Sequence, residues 1–78
     1  MKLHEFKKQT ERLKKGDAVC IKVKEYKMCG NGNCKKHGGQ IYLGKLKIVE
    51  DKSITIFIEK DNVYYGWYQK IEYIKKLN

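Results

Sequence analysis

Isoleucine occupies every second position, 54, 56 and 58, in the stretch Ser53-Ile54-Thr55-Ile56-Phe57-Ile58-Glu59-Lys60. In a β-strand, successive side chains point to opposite faces, so this alternation puts every second residue on one face. We expect the three isoleucines to point into a core, and Thr55, Phe57 and Glu59 to point outward. The stretch therefore predicts a strand with one buried face, and it indicates a fold built mainly from β-strands.

The same period of two continues on both sides of this stretch. It predicts four further strands, over residues 17–24, 40–49, 63–68 and 71–77. In the second of these, Ile41 and Leu43 have one parity, whereas Leu46 and Ile48 have the other. We expect a bulge or a sharp bend at Gly44, where the parity changes. Asp61 and Asn62 suit a two-residue hairpin turn.

Two segments depart from the period of two. Residues 2–15 carry apolar side chains at helical spacing, and they predict a short helix that ends at a left-handed Gly16. Residues 25–39 are rich in glycine and lysine, and we expect a long Cys/Gly-rich loop between the first two strands. The whole chain, residues 1–78, is short enough to form a single domain.

The order of elements resembles a known small fold. The resemblance rests on the N-terminal helix, the bend over Gly44–Asp51, the Ile54–Ile58 strand and the closing Ile71-Glu72-Tyr73-Ile74 segment. Together they are similar to the small five-stranded SH3-like barrel in its Sm-like variant. The resemblance implies a binding module, often for nucleic acid or an extended peptide and sometimes assembled into a homo-oligomeric ring.

Charge and composition narrow the classes of function. The chain has 78 residues, 18 basic and 9 acidic side chains and a formal net charge of +9. Such an excess of basic residues favours a nucleic-acid partner or an acidic protein surface. No apolar run approaches the roughly 18 residues that a membrane span needs, so we expect a cytoplasmic protein with no membrane partner. Abundant lysine and absent proline suggest an A·T-rich coding sequence, from a low-G·C bacterium or its phage.

Two cysteines and a histidine lie close together in the predicted loop, as Cys29-x4-Cys34-x2-His37. Zinc prefers sulfur and nitrogen ligands in a tetrahedron, so these three side chains could hold a structural zinc ion, with Cys20 as the fourth ligand. A flexible loop with incidental thiols and a local Cys29–Cys34 disulfide are the alternatives. The odd number of cysteines, three, argues against a disulfide framework.

Aromatic and basic side chains are interleaved near the C-terminus. Aromatic rings can stack on bases while lysines neutralise phosphates, which is the chemistry of single-strand binders. The alternative is that these rings only fill the core of a small sheet. The candidate binding residues are Lys35, Lys36, Lys45, Lys47, Tyr64, Trp67, Tyr68 and Lys70.

The sequence favours a binding function over catalysis. Cys34 and His37 have no orienting carboxylate nearby in the sequence, and no paired acidic motif stands out, so we expect no enzymatic activity. RNA or single-stranded DNA is favoured over duplex DNA, because no recognition helix is apparent. The alternative is a protein-interaction module, such as a phage or mobile-element protein that inhibits a host protein.

Overall fold

The computed structural model describes residues 1–59 and 61–77, which form one α-helix, one 3-10 helix and seven β-strands. The elements in chain order are α1 (Leu3–Thr10), β1 (Ala18–Val23), β2 (Tyr26–Gly30), β3 (Asn33–His37), β4 (Ile41–Val49), β5 (Ser53–Glu59), β6 (Asn62–Trp67), the 3-10 helix (Tyr68–Lys70) and β7 (Ile71–Lys76). The prediction of a mainly β chain with an N-terminal helix is confirmed. The predicted last residue of the β5 strand, Lys60, lies outside the described residues.

Five of the strands form one antiparallel sheet in the order β6-β5-β4-β1-β7, and β2 pairs with β3 in a separate two-stranded sheet. β4 lies at the centre of the large sheet, while β6 and β7 lie at its edges. The five strands predicted from the period of two are the strands of this sheet. Among residues 1–59 and 61–77, no helix is long and apolar enough to cross a membrane.

The core lies on one face of the five-stranded sheet. Burying one large aliphatic side chain stabilises a fold by about 1.5–3 kcal/mol, so a few such residues hold a chain of this size together. Ile54 and Ile56 point inward as predicted, and both are fully buried. The buried cluster consists of Phe6, Val19, Ile21, Leu46, Ile54, Ile56, Ile71 and Ile74.

Helix α1 ends at Thr10, so the prediction of a helix over residues 2–15 is wrong in its C-terminal part. The Thr10 hydroxyl is buried and donates to the Phe6 carbonyl at 2.8 Å. After it the chain turns twice: the Leu13 amide donates to the Thr10 carbonyl at 3.0 Å, and the Lys14 amide then donates to the Asp17 carboxylate at 2.8 Å. Gly16, with φ +92°, belongs to this turn and does not cap the helix. The helix packs through Phe6 against the sheet.

The prediction of a loop over residues 25–39 is also wrong, because β2 and β3 form a regular hairpin there. Their pairing runs from Tyr26–His37 to Gly30–Asn33. Asn31 and Gly32 make the turn with φ values of 52° and 80°. Positive φ at both central residues suits the tight turns that match strand twist, and Asn-Gly is a strong hairpin signal. We refer to residues 26–37 as the hairpin arm.

The irregularity in β4 lies three residues later than predicted. The register with β5 shifts between Leu46 and Ile48, not at Gly44. Gly44 has a different function at this crossing: a Cβ atom there would overlap the Phe57 carbonyl oxygen, which belongs to the backbone of β5. The absence of a side chain at Gly44 lets β4 and β5 approach closely.

Replacing Gly44 by alanine is expected to destabilise the fold. The added methyl group would force the two backbones apart, and overpacking of this kind typically costs about 1–3 kcal/mol. The matched control is Gly30→Ala, since a Cβ atom at Gly30 meets nothing within 4 Å. Urea unfolding should show a lower free energy of unfolding for Gly44→Ala than for Gly30→Ala. Equal values for the two variants would contradict this account of the crossing.

Candidate binding surface

An exposed aromatic surface lies on the outer face of β4, β5 and β6. The register places Phe57 beside Lys45 on one side and Val63 on the other, and it places Thr55 beside Tyr65. Since Ile54 and Ile56 point into the core, their neighbours Thr55 and Phe57 point away from it. The same alternation puts Tyr65 and Trp67 on the outer face. Tyr65 is 57% exposed, and Phe57 and Trp67 are each 39% exposed.

Two lysines border these rings. Lys45 and Lys47 are both exposed on β4. The register shift leaves Lys47 without a partner on β5, and its Nζ atom lies 5.4 Å from the centroid of the Phe57 ring. A cation at this distance over an aromatic face is attracted by about 0.5–1 kcal/mol at an exposed site. We call Phe57, Tyr65, Trp67, Lys45 and Lys47 the stacking face.

Two of the aromatic residues predicted to bind point inward instead. Tyr64 lies opposite Ile56, and its ring stacks on Tyr42 with centroids 4.3 Å apart. Burial and the neighbouring Tyr42 raise the pKa of Tyr64 above its ordinary value of 10.0. Tyr68 begins the 3-10 helix, half-buried, with its ring centroid 6.3 Å from that of Phe6. These two rings serve packing, while Tyr65 and Phe57 provide the outer surface.

The parity of the aromatic residues does not by itself show which of them face the core. Tyr65 has the parity of Trp67, and Tyr64 has the opposite parity. In a two-residue hairpin the inward positions of one strand face those of its partner. Counting across a two-residue turn at Asp61 and Asn62 would pair Ile56 with Trp67, and so would assign Tyr65 and Trp67 to the core. The structure reverses that assignment: Asn62 belongs to β6 rather than to the turn, and a register shift between Phe57 and Glu59 places Tyr64 opposite Ile56.

The other predicted lysines lie elsewhere on the molecule. Lys35 and Lys36 are exposed on β3 in the hairpin arm. Lys70 lies in the 3-10 helix and lines a cleft with Lys24, Tyr26 and His37, where the arm joins the five-stranded sheet. The Tyr26 and His37 rings stack across the base of the arm with centroids 5.5 Å apart. The basic residues of the chain thus form more than one cluster.

Cys29 and Cys34 face each other across the hairpin arm and form a disulfide, with Cα atoms 4.0 Å apart. The local Cys29–Cys34 disulfide, one of the alternatives that the sequence left open, is therefore present in the structure. Cys20 is a buried free thiol on β1. It lies in the five-stranded sheet, opposite Leu43 and Lys75.

The zinc site stays a prediction for the reduced chain. A disulfide sulfur is not a thiolate, and zinc is bound by thiolates. In the oxidised arm Cys29 and Cys34 therefore do not provide the ligands the prediction requires, and His37 stacks on Tyr26. Over residues 1–59 and 61–77 no group of three or more His, Cys, Asp or Glu side chains is placed to hold a metal ion.

A comparison with protein families, curated proteins and solved structures found no match to this chain. The function is therefore inferred from the residues and surfaces described above.

Tyr64 is expected to make stability fall at alkaline pH. A raised pKa means that the folded state holds the phenol proton more tightly than the unfolded state does. The corresponding stability is complete below pH 10.0 and is lost as the pH rises through the folded-state pKa. Tyr64→Phe should therefore lose less free energy of unfolding between pH 8 and about pH 11.

Tyr65→Phe is the matched control, because Tyr65 is the exposed neighbour on the same strand. Guanidinium unfolding at the two pH values measures the difference. If both variants lose as much stability as the parent chain, Tyr64 does not contribute in this way.

The disulfide leads to a separate expectation for thiol chemistry. Without reductant, iodoacetamide should label only Cys20, and only after unfolding, because that thiol is buried and the other two cysteines are paired. With reductant, Cys29 and Cys34 should be labelled in the folded protein, and all three cysteines should be labelled after unfolding. Native mass spectrometry of the reduced protein with zinc tests the metal prediction, and apoprotein alone under those conditions would eliminate it.

Proposed function

We propose that the protein is a non-enzymatic binding module that holds single-stranded nucleic acid, RNA or single-stranded DNA, on the stacking face. The observation that carries this proposal is the grouping of three exposed aromatic rings with two lysines on neighbouring strands. Every base has a flat π-face, so exposed rings can stack on successive bases with little dependence on sequence. Lysines beside the rings can neutralise the phosphates that accompany those bases.

The charges around the stacking face support an anionic partner. The ion pairs of the described residues join Lys22 to Glu72, Lys36 to Glu25 and Lys76 to Asp17, and they do not include Lys45 or Lys47. Both lysines are exposed, so a phosphate could approach them without displacing a carboxylate in this structure. The formal net charge of +9 would also speed the approach of any polyanion.

The SH3-like, Sm-like architecture forms part of the same proposal. The sheet order β6-β5-β4-β1-β7 and the short 3-10 helix before the last strand support it. The resemblance to this fold implies a binding module, often for nucleic acid or an extended peptide, which fits a stacking face built on β4, β5 and β6. Fold alone does not establish function, so the side chains carry the argument.

An acidic protein surface is the second candidate, and one observation favours it. Ile41 and Leu43 lie on the outer face of β4, and each is 56% exposed. Aliphatic side chains offer little to a nucleic acid, whereas a protein partner would bury them. A host protein bound by this face would therefore contact both the aliphatic and the basic residues of β4.

Replacing Tyr65 by alanine is expected to weaken single-strand binding and leave the fold intact. Loss of one aromatic–base stack costs about 1–3 kcal/mol, which corresponds to roughly 5- to 150-fold in Kd. Quenching of Trp67 fluorescence by a single-stranded oligonucleotide, at low and at physiological salt, measures the change. Circular dichroism should be unaltered, because Tyr65 lies outside the core.

The control variant is Tyr73→Ala, on the edge strand β7 at the other side of the sheet. It removes a tyrosine without touching the stacking face, so its Kd should stay near that of the parent chain. Equal weakening by the two variants would contradict the proposal. Quenching that disappears at physiological salt would also contradict it, since that behaviour indicates charge attraction alone.

A further inference from the structure

The hairpin arm is an isolated ribbon whose strand side chains all lie in solvent. Every residue of β2 and of β3 is exposed. The two strands pair at five successive positions, and the Cys29–Cys34 disulfide closes the ribbon one pair before the Asn31-Gly32 turn. A disulfide restricts the conformations that the unfolded arm can adopt, and the tight turn fixes the register between β2 and β3. The chain thus maintains a defined ribbon that contributes nothing to the buried core.

Cationic side chains occupy both faces of this ribbon. Alternation puts Lys27 and Lys36 on the face that carries the disulfide, and it puts Lys35 on the opposite face with Tyr26 and His37. One contact moderates this charge, an exposed Lys36–Glu25 ion pair with 3.6 Å between Nζ and Oε1. Exposed pairs at such a distance are worth little, so Lys36 can exchange this partner for another anion.

A ribbon with cations on both faces fits between two negatively charged walls. A single strand, or a flat acidic surface, would contact one face and leave the cations of the other face unused. The major groove of B-DNA is about 12 Å wide, it admits a two-stranded ribbon, and a phosphate backbone forms each of its walls. The arm therefore matches a groove better than it matches a single strand.

The length and the tip of the arm agree with the depth of that groove. Four residue steps from Tyr26 to Gly30 span about 14 Å at roughly 3.4 Å per residue, and the groove is about 8.5 Å deep. The tip could reach the base edges while the base of the arm stays outside. Asn31 and Asn33 are exposed at the tip. Asparagine amides can donate to and accept from the edge of adenine.

We propose that the hairpin arm inserts into the major groove of duplex DNA, where Lys27, Lys35 and Lys36 contact the two phosphate backbones and the asparagine tip meets the base edges. The arm would supply the duplex contact for which the sequence shows no recognition helix. The proposal rests on the inference above that the partner of this basic chain is nucleic acid, but it uses a different surface and different residues from the stacking face.

The test compares two triple variants of the oxidised protein that have the same net charge. The arm variant is Lys27→Gln/Lys35→Gln/Lys36→Gln, and the control is Lys7→Gln/Lys8→Gln/Lys15→Gln, three exposed residues in and after α1. Fluorescence anisotropy with a labelled DNA duplex measures the association constant K at several salt concentrations, and log K is then plotted against the logarithm of the salt concentration. The slope of log K against log salt is negative, and each lost phosphate contact reduces its magnitude by about 0.9. We expect the arm variant to reduce the magnitude of this slope by up to about 2.7. The control variant should reduce it by much less.

Methylation interference identifies the groove. Guanine N7 lies in the major groove and adenine N3 in the minor groove. We expect methylation at N7 to weaken duplex binding by the parent protein and methylation at N3 to leave it unchanged. Interference at N3 alone, or equal slopes for the two triple variants, would overturn the arm proposal.

The Tyr65→Ala variant separates this proposal from the previous one. If Tyr65→Ala weakens single-strand binding while the arm variant behaves as its control does, only the arm proposal fails. If the arm variant loses duplex binding and Tyr65→Ala has no effect on single strands, only the stacking face fails. The arm side chains are exposed, and unaltered circular dichroism of the arm variant would show that its losses come from binding.

Discussion

The close pairing of β4 with β5 is the constraint on which the rest of the structure depends. β4 is the central strand of the five-stranded sheet, so its position sets the register of β1 on one side and β5 on the other. The pairing requires glycine at position 44, beneath the Phe57 carbonyl, and it shifts register around Lys47. These two features bring Leu46 and Ile56 together in the core. They also place Lys47 over the Phe57 ring on the outer face.

The chain has two surfaces with different chemistry, one on the five-stranded sheet and one on the separate β2–β3 hairpin. The stacking face consists of flat rings on a rigid sheet, with lysines at its border, and it suits bases that are not already paired and stacked. The hairpin arm has cations on both faces and a polar tip, and it suits a groove between two backbones. The small core, formed mainly by aliphatic side chains, leaves most of the charged residues free for such contacts.

Local pattern determined most of the secondary structure. The period of two located β1, β4, β5, β6 and β7 within one or two residues, because a strand with one buried face must alternate. The local pattern was misleading at two places in the chain. Residues 25–39 looked like a loop because they are rich in glycine and lysine, yet Asn31-Gly32 is a hairpin turn between paired strands. The predicted helix is too long, because helical periodicity does not report the two turns that follow Thr10, at Leu13 and at Lys14.

The sequence by itself determined the mainly β fold, the inward isoleucines of β5, the basic charge and the presence of aromatic and cysteine clusters. Only the tertiary structure decided which aromatic side chains lie on the exposed face of the sheet. The face to which a β6 side chain points depends on the register of β6 with β5 across a turn. The tertiary structure also decided that Cys29 and Cys34 form a pair and that Cys20 lies in the other sheet. Pairing between strands is a non-local interaction: residues distant in the chain fix each other's orientation, and the spacing along one strand does not contain that information.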